Sequence, residues 1–425
     1  MMNAIIEKLS KSNQEFTKAY PGSSHERQPV HSVYGGAQIF SSETARKMSG
    51  VALKSLEAHA PSAKSLMSAL GEEKADPMLW NLIYERVQKK LREEAVEDFR
   101  IDYEDGYGTR PDTEEDGHAK SGALEVAKGM TQDSLPPFIG IRIKPFSEEC
   151  HKRSIRTLEI FLNTLLKETG GKLPSHFVVT LPKVTHAGQV TALVEIFEEI
   201  EKQNKLAPNT LKFEFMVETT QSIFGSDGRT PMRSFVEAGK GRCIGAHFGT
   251  YDYTASCGIT AHYQTMLNPV CDFAKHVMQV SLAGLPVLLS DGATNVMPVG
   301  SDSKVVHRAW RMSYQHIRHS LATGFYQGWD LHPAQLPVRY AATYAFFLEA
   351  LSSASDRLKG FVEKAAKATL LGDVFDDAAT GQGLLNFFLR ALSCGAITEE
   401  EALKTGLTLE EIRGRSFMKI LEKRR

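Results

Sequence analysis

The chain has 425 residues, of which 42% are hydrophobic and 24% charged, and its net charge is −1. That length accommodates one α/β barrel with additions, since such barrels need about 250 residues. The balanced charge removes the electrostatic footing for a nucleic-acid partner. The five cysteines, without a C-x-x-C pair, argue against a disulfide framework or zinc knuckle and point to a reducing compartment.

The opening stretch, MMNAIIEKLSKSNQEF, mixes charge and apolar residues too closely for a signal-peptide core. The longest uncharged run, 277–290, is broken by Gly284 and Pro286 and is too short to span a bilayer. A cytoplasmic protein with no membrane association is expected. Residues 1–33 read as an N-terminal arm, helical and then loop-like through PGSS and RQP. A short strand over 36–40 follows, and then a helix that the Ser41/Ser42 pair can cap. Residues 60–95 add a helical insertion longer than a βα unit needs.

From there, strand-like runs fall at 98–103, 138–143, 177–182, 211–217, 244–248, 286–289 and 328–331. Amphipathic stripes separate them, such as Ile155, Leu158, Leu162, Leu165 and Leu166, or Val190, Leu193, Val194, Phe197 and Ile200. Strand and helix in alternation imply a parallel sheet, and eight repeats imply closure into a TIM (β/α)8 barrel over 34–340. The alternative is a doubly wound open sheet. Residues 341–425 read as an α-helical C-terminal extension.

Side-chain parity locates a polar interior. Alternate residues of a strand face opposite ways, so Phe99, Ile101 and Tyr103 oppose Arg100, Asp102 and Glu104. Likewise, Phe213, Phe215 and Val217 oppose Glu214, Met216 and Glu218. Apolar faces suit the surrounding helices, which sends the charges into the barrel. Charges buried there must pair or bind a metal.

Glu218 ends one apolar run, and Asp252 lies just past the next, after Gly249. Adjacent parallel strands bring such residues side by side at their C-terminal ends, where two carboxylates can share one Mg²⁺ or Mn²⁺. In RIDYEDGYG, Asp102, Glu104 and Asp105 can hold the waters of that ion or orient Arg142. Arg142, in IGIRIKPF, offers a planar fork for a substrate carboxylate, and Lys183, in TLPKVTHAG, can neutralise a second anionic group. Lys304, Arg308, Arg311 and Arg318 share a helical stripe that either docks phosphates or is a solvated face, and His316 and His319 stand at metal-sharing spacing without an acidic neighbour. Walker, G-x-G-x-x-G, G-x-S-x-G and HExxH motifs are absent.

Taken in order, DYEDG, IRIK, LPKV, MVET, HFGTYDY and GWDLHPAQL resemble the motifs of the citrate lyase β-subunit and malyl-CoA lyase group of the HpcH/HpaI aldolase superfamily, over residues 34–340. The resemblance implies a homo-oligomeric TIM barrel with Glu218 and Asp252 as direct Mg²⁺ ligands. It further implies Arg142 as binder of the substrate carboxylate, Glu104 and Asp105 as supporting acids and His332 as support from the last strand. Lys144 stands where relatives carry Asn. The implied activity is carbon–carbon cleavage or formation in a small 2-oxo or 3-hydroxy acid, as the free acid or its CoA thioester, through a metal-stabilised enolate. The alternatives are a metal-dependent thioesterase, a malate-synthase-like condensing enzyme and a non-catalytic carboxylate-binding protein. Relatives draw a catalytic Asp from a neighbouring subunit's C-terminal region; Asp373, Asp376 and Asp377 are the candidates here.

Overall fold

A computed structural model describes residues 2–24, 26–363, 369–371, 374–376 and 378–424. Its centre is a parallel barrel of eight strands: β1 (His31–Gly36), β2 (Asp98–Asp102), β3 (Phe138–Arg142), β4 (Phe177–Leu181), β5 (Phe213–Val217), β6 (Cys243–Phe248), β7 (Leu288–Ser290) and β8 (Gly328–Asp330). The strands neighbour one another in sequence order, and β1 also pairs with β8. Between β7 and β8 the ring is completed by the Ala293–Trp329 bridge, with Asp291 N donating to Gln327 O at 2.8 Å and Trp329 N to Gly292 O at 3.0 Å. The open doubly wound alternative is therefore set aside.

Three local expectations are corrected. The first strand occupies His31–Gly36 rather than 36–40, and a 3-10 turn covers Ala37–Ile39. Placing the strand earlier lets Val33 pair with Phe99 and Gly36 with Asp102 in the β2 register. Nor do Ser41 and Ser42 cap the helix Thr44–His59, which has no side-chain cap bond; the Ser42 N–H instead donates to Glu125 Oε2 at 2.8 Å. Finally, the helix Leu336–Glu363 runs unbroken through position 340, and a short antiparallel pair, Thr369–Leu371 with Val374–Asp376, interrupts the helical extension.

The insertion forms two helices. Ala63–Leu70 starts on a Ser62 capping box, and Pro77–Glu93 starts on an Asp76 cap with Pro at its first turn. They bury Trp80, Ile83 and Leu66 against the late helices Ser303–Ala322 and Leu336–Glu363. Arg311 donates to Ser68 O at 2.9 Å and Arg318 pairs with Glu349 at 2.6 Å, so the basic stripe read from the sequence is partly spent on internal contacts. Among the described residues no helix is long and apolar enough to cross a membrane.

Inside the barrel, parity operates as expected. Arg100, 3% exposed, donates through Nε to Glu214 Oε1 at 2.7 Å and through Nη2 to Glu214 Oε2 at 3.0 Å, and pairs with Asp98. Glu214 also meets His247 Nε2 at 2.8 Å, and Trp329 Nε1 donates to His247 Nδ1 at 3.3 Å. Above this layer lie Tyr34, Met216, Ala293 and Trp329, a small apolar plug within the barrel. Because one guanidinium compensates two buried carboxylates, Arg100→Met should destabilise the fold by about 3–5 kcal/mol, the cost of leaving a buried ion unpaired. Chemical denaturation measures this; a loss below about 1 kcal/mol would mean the carboxylates are accommodated another way.

Candidate active site at the C-terminal ends of the strands

Every βα turn from β2 to β6 contributes a charged group to one cluster. Arg142, the last residue of β3, is 4% exposed and extends across to β2. Its Nε and Nη2 donate to Asp102 Oδ1 and Oδ2 at 2.7 and 2.6 Å, a bidentate pair. Tyr34 and Trp329, stacked at 4.4 Å, flank it, with the guanidinium carbon 4.8 and 5.7 Å from their ring centroids. Burial opposes the charge, but Asp102 and Glu104 hold Arg142 firmly protonated. The bidentate face is thus committed to Asp102. What remains for a substrate is the Nη1 edge, 3.0 Å from Glu104 Oε2 and 3.9 Å from Asp105. Of the two roles read for Asp102, orienting Arg142 is the one seen.

Lys183 follows β4 in a left-handed backbone conformation, φ 50°, which L-residues rarely adopt and which marks local strain. Its backbone N–H donates to Glu218 Oε1 at 2.7 Å. Its ammonium lies 2.6 Å from Glu104, 3.4 Å from Asp105 and 3.2 Å from Asp252. Burial works against that charge, yet Glu218, Glu104 and Asp105 raise the pKa of Lys183. Here Lys183 neutralises the protein's own acids.

Glu218 is 2% exposed and, among the described residues, has no ion pair. Burial pushes its carboxyl up to about 8; Lys183 and Arg142 work against the rise, Asp252 and Glu104 add to it. Lys183 links Glu218 to Asp252, with its backbone N–H on the first and its ammonium 3.2 Å from the second. Glu104, also buried, is likewise shifted upward by desolvation against the pull of Arg142 and Lys183. Asp105 is exposed.

The donor set fits a hard divalent cation. Glu218 and Asp252 are both oxygen donors, and Mg²⁺ is commonly held by one or two carboxylates with waters completing its shell. Among the described residues no three acids, histidines or cysteines are arranged to hold a metal ion by themselves, and the carboxylates that the sequence offered for one are the two of Glu218 and Asp252. Gly249 makes room for it: a Cβ there would lie 2.5 Å from Glu218 Oε2. A carboxyl that burial drives toward neutrality also calls for a cation to keep it ionised.

His332 stands apart from this cluster. Its Nδ1 accepts from Ala334 N at 3.1 Å and caps the turn Pro333–Gln335, and no hydrogen bond or ion pair joins it to Glu218, Asp252 or Arg142 among the described residues. Lys144 turns outward to Glu115 at 2.7 Å. His316 bonds Thr294 at 2.8 Å, and His319 bonds Asp272 at 2.8 Å, so the two do not share a metal. The side chains of Asp373, Asp376 and Asp377 lie outside the described residues. Tyr34 and Trp329 were missed from sequence because a lone aromatic on a strand carries no sign of what it packs against.

A family profile described as "Domain of unknown function (DUF6986)" matches residues 9–420. The chain belongs to that family. No curated protein matches this DUF6986 sequence. Among solved structures, a citrate lyase from Burkholderia xenovorans LB400 is similar, with 19% identity, a TM-score of 0.58, and coverage of 89% of this chain and 97% of that one. Protein CitE from Mycobacterium tuberculosis, in complex with magnesium, acetoacetate and coenzyme A, aligns at 15% identity and TM-score 0.49 over 85% and 97% of the two chains. A Haloferax volcanii malate synthase magnesium/glyoxylate complex aligns at 14% identity and TM-score 0.46 over 93% and 97%. With the Burkholderia xenovorans citrate lyase, at 19% identity, what is shared is the fold, which agrees with the barrel that the motifs resemble.

A pH dependence follows from Glu218. Its folded-state pKa, about 8, lies above the ordinary 4.5, so the metal-free folded protein holds a proton that the unfolded chain releases. Stability therefore declines as pH rises from about 4.5 to 8. Glu218→Gln, which cannot ionise, should flatten that decline and melt higher than wild type at pH about 8 in EDTA. Parallel wild-type and variant melting curves across pH would show that Glu218 is not the group responsible.

Proposed function

We propose that this protein is a Mg²⁺-dependent carbon–carbon lyase or condensing enzyme acting on a small 2-oxo or 3-hydroxy acid, as the free acid or its CoA thioester. The observation that carries this reading is the convergence of Arg142, Glu104, Lys183, Glu218 and Asp252, from five successive βα turns, on the face where such barrels place their chemistry. The motif resemblance and the shared fold with a citrate lyase support it. Glu218 and Asp252 would hold the cation, which supplies Lewis-acid polarisation of a carbonyl oxygen when bound.

The remaining steps belong to the chain. Arg142, fixed by Asp102, offers its Nη1 edge to a carboxylate or to the oxygen that gains charge as the bond breaks. Because the Asp102 pair already sets its geometry, little reorganisation is needed as that charge develops. The Lys183 ammonium, 2.6 Å from Glu104 and 3.2 Å from Asp252, adds positive potential on the other side. Glu104 lies between the two cations, with Oε2 3.0 Å from Arg142 Nη1 but accepting no hydrogen bond. Burial raises its pKa, so it is placed to hold a proton and return it to the carbanion carbon. The stacked Tyr34 and Trp329 close the interior side of Arg142 to water.

The test is exchange of pyruvate methyl protons for deuterium, followed by NMR with and without Mg²⁺. Wild type plus Mg²⁺ should exchange, and Glu218→Gln should lower the rate by at least about a hundredfold, the scale of removing one preorganised electrostatic group. If pyruvate raises the melting temperature but its protons never exchange, the protein binds carboxylates without turning them over.

A further inference from the structure

On the opposite, N-terminal face of the barrel, a cavity of about 570 Å³ opens between the barrel and the C-terminal helices. The segment before β1, with Ser23, Glu26 and Gln28, forms one wall, together with Tyr326 ahead of β8. The helices Ala378–Ser393 and Phe417–Arg424 supply Arg390 and Lys419, and Arg415 lies between them. The volume falls in the range of small-molecule sites.

Arg390 is the unusual group. It is partly buried, donates to the Gln28 side-chain oxygen and stacks its guanidinium 5.0 Å from the Tyr326 ring centroid. No carboxylate pairs with it among the described residues. Its charged neighbour is Arg415; burial first, and then that like charge, depress the pKa of Arg390. Among the described residues, the fully buried cations Arg100, Arg142, Arg242 and Lys275 have counter-ions in Glu214, Asp102, Glu201 and Asp291. Arg27, between Glu26 and Gln28 in sequence, is already committed to Glu94 and Glu97. A partly desolvated guanidinium with only neutral partners and a like-charged neighbour is unfavourable until an anion joins it.

We propose that this cavity binds a phosphorylated small molecule, its phosphate oxygens received by Arg390 and Lys419 and by the hydroxyls of Ser393 and Ser416. Phosphate chemistry is favoured over a single carboxylate by charge. Besides Glu26 the lining carries the cations of Arg390 and Lys419 with the Ser393 and Ser416 hydroxyls, and a phosphomonoester brings close to two negative charges and three acceptor oxygens for these donors. Its seat between the barrel and the extension would tie the two together. The proposal is independent of the lyase reading, since no residue of the two sites is shared.

The test uses the full chain without Mg²⁺, titrated with inorganic pyrophosphate and separately with ATP, against NaCl at matched ionic strength, by calorimetry and thermal shift. Both anions, or either one, should bind and raise the melting temperature beyond the NaCl control by mass action; which binds tighter distinguishes a simple phosphate from a nucleotide. Arg390→Gln should weaken binding by about tenfold or more, as expected for one charge-assisted hydrogen-bond donor. Lys419→Gln, an exposed change that leaves folding intact, should weaken it by roughly threefold. Glu218→Gln should leave binding unchanged. NaCl reproducing the shift, or unaltered affinity in both Arg390→Gln and Lys419→Gln, would overturn the proposal; unaltered affinity in Lys419→Gln alone does so if Arg390→Gln fails to fold.

Discussion

A charge inside a barrel must find its opposite there, because water cannot reach it and desolvation costs several kcal/mol per ion. The interior of this protein is organised by that requirement. Arg100 with Asp98 and Glu214 makes one compensated layer, extended by His247 to Trp329. Arg142 with Asp102 makes another, nearer the C-terminal ends of the strands. Between them, Tyr34, Met216 and Trp329 provide an apolar partition. The layers keep the strands in register and orient what lies above them.

At the top the pairing is incomplete. Lys183 is shared among Glu104, Asp105 and Asp252, and Glu218 receives a backbone N–H rather than a cation. With Asp102, five acids and two bases therefore occupy one region, leaving an excess of negative charge. Burial raises the pKa values of Glu218 and Glu104 against the pull of Lys183 and Arg142, and a cation at the mouth of the barrel would offset both that burial and the excess charge. Stability and chemistry are linked here: the same desolvation that disfavours ionised Glu218 would strengthen its interaction with a bound cation.

The additions to the barrel serve the fold at a distance from this site. The helices Ala63–Leu70 and Pro77–Glu93 cover the two long helices that follow β7 and β8, where the closing strands are only three residues each. Tyr340 Oη donates to Ala95 O at 3.0 Å, and Arg86 pairs with Glu401 at 2.7 Å, so the insertion, the last barrel helix and the extension brace one another. Phe347, Leu385 and Phe388 belong to the same continuous core as the barrel strands.

Much of this was legible in the linear order of residues. The alternation of Phe99, Ile101 and Tyr103 with Arg100, Asp102 and Glu104 determined which face is polar, because strand side chains alternate regardless of context. The helical stripes and the eight repeats determined the barrel, and strand polarity determined that Glu218 and Asp252 stand at the same end. Who pairs with whom was a matter for the tertiary structure. The sequence offered Asp102, Glu104 and Asp105 alike as partners that orient Arg142, and the β2–β3 register gives its bidentate face to Asp102; the turn that His332 Nδ1 caps was not readable from sequence. The first strand was misplaced by several residues because HSVYGG and GAQIF are equally strand-like locally, and pairing with β2 selects between them. Local periodicity reveals the direction in which a side chain leaves the backbone, whereas the partner it meets depends on strand register and distances that span the chain.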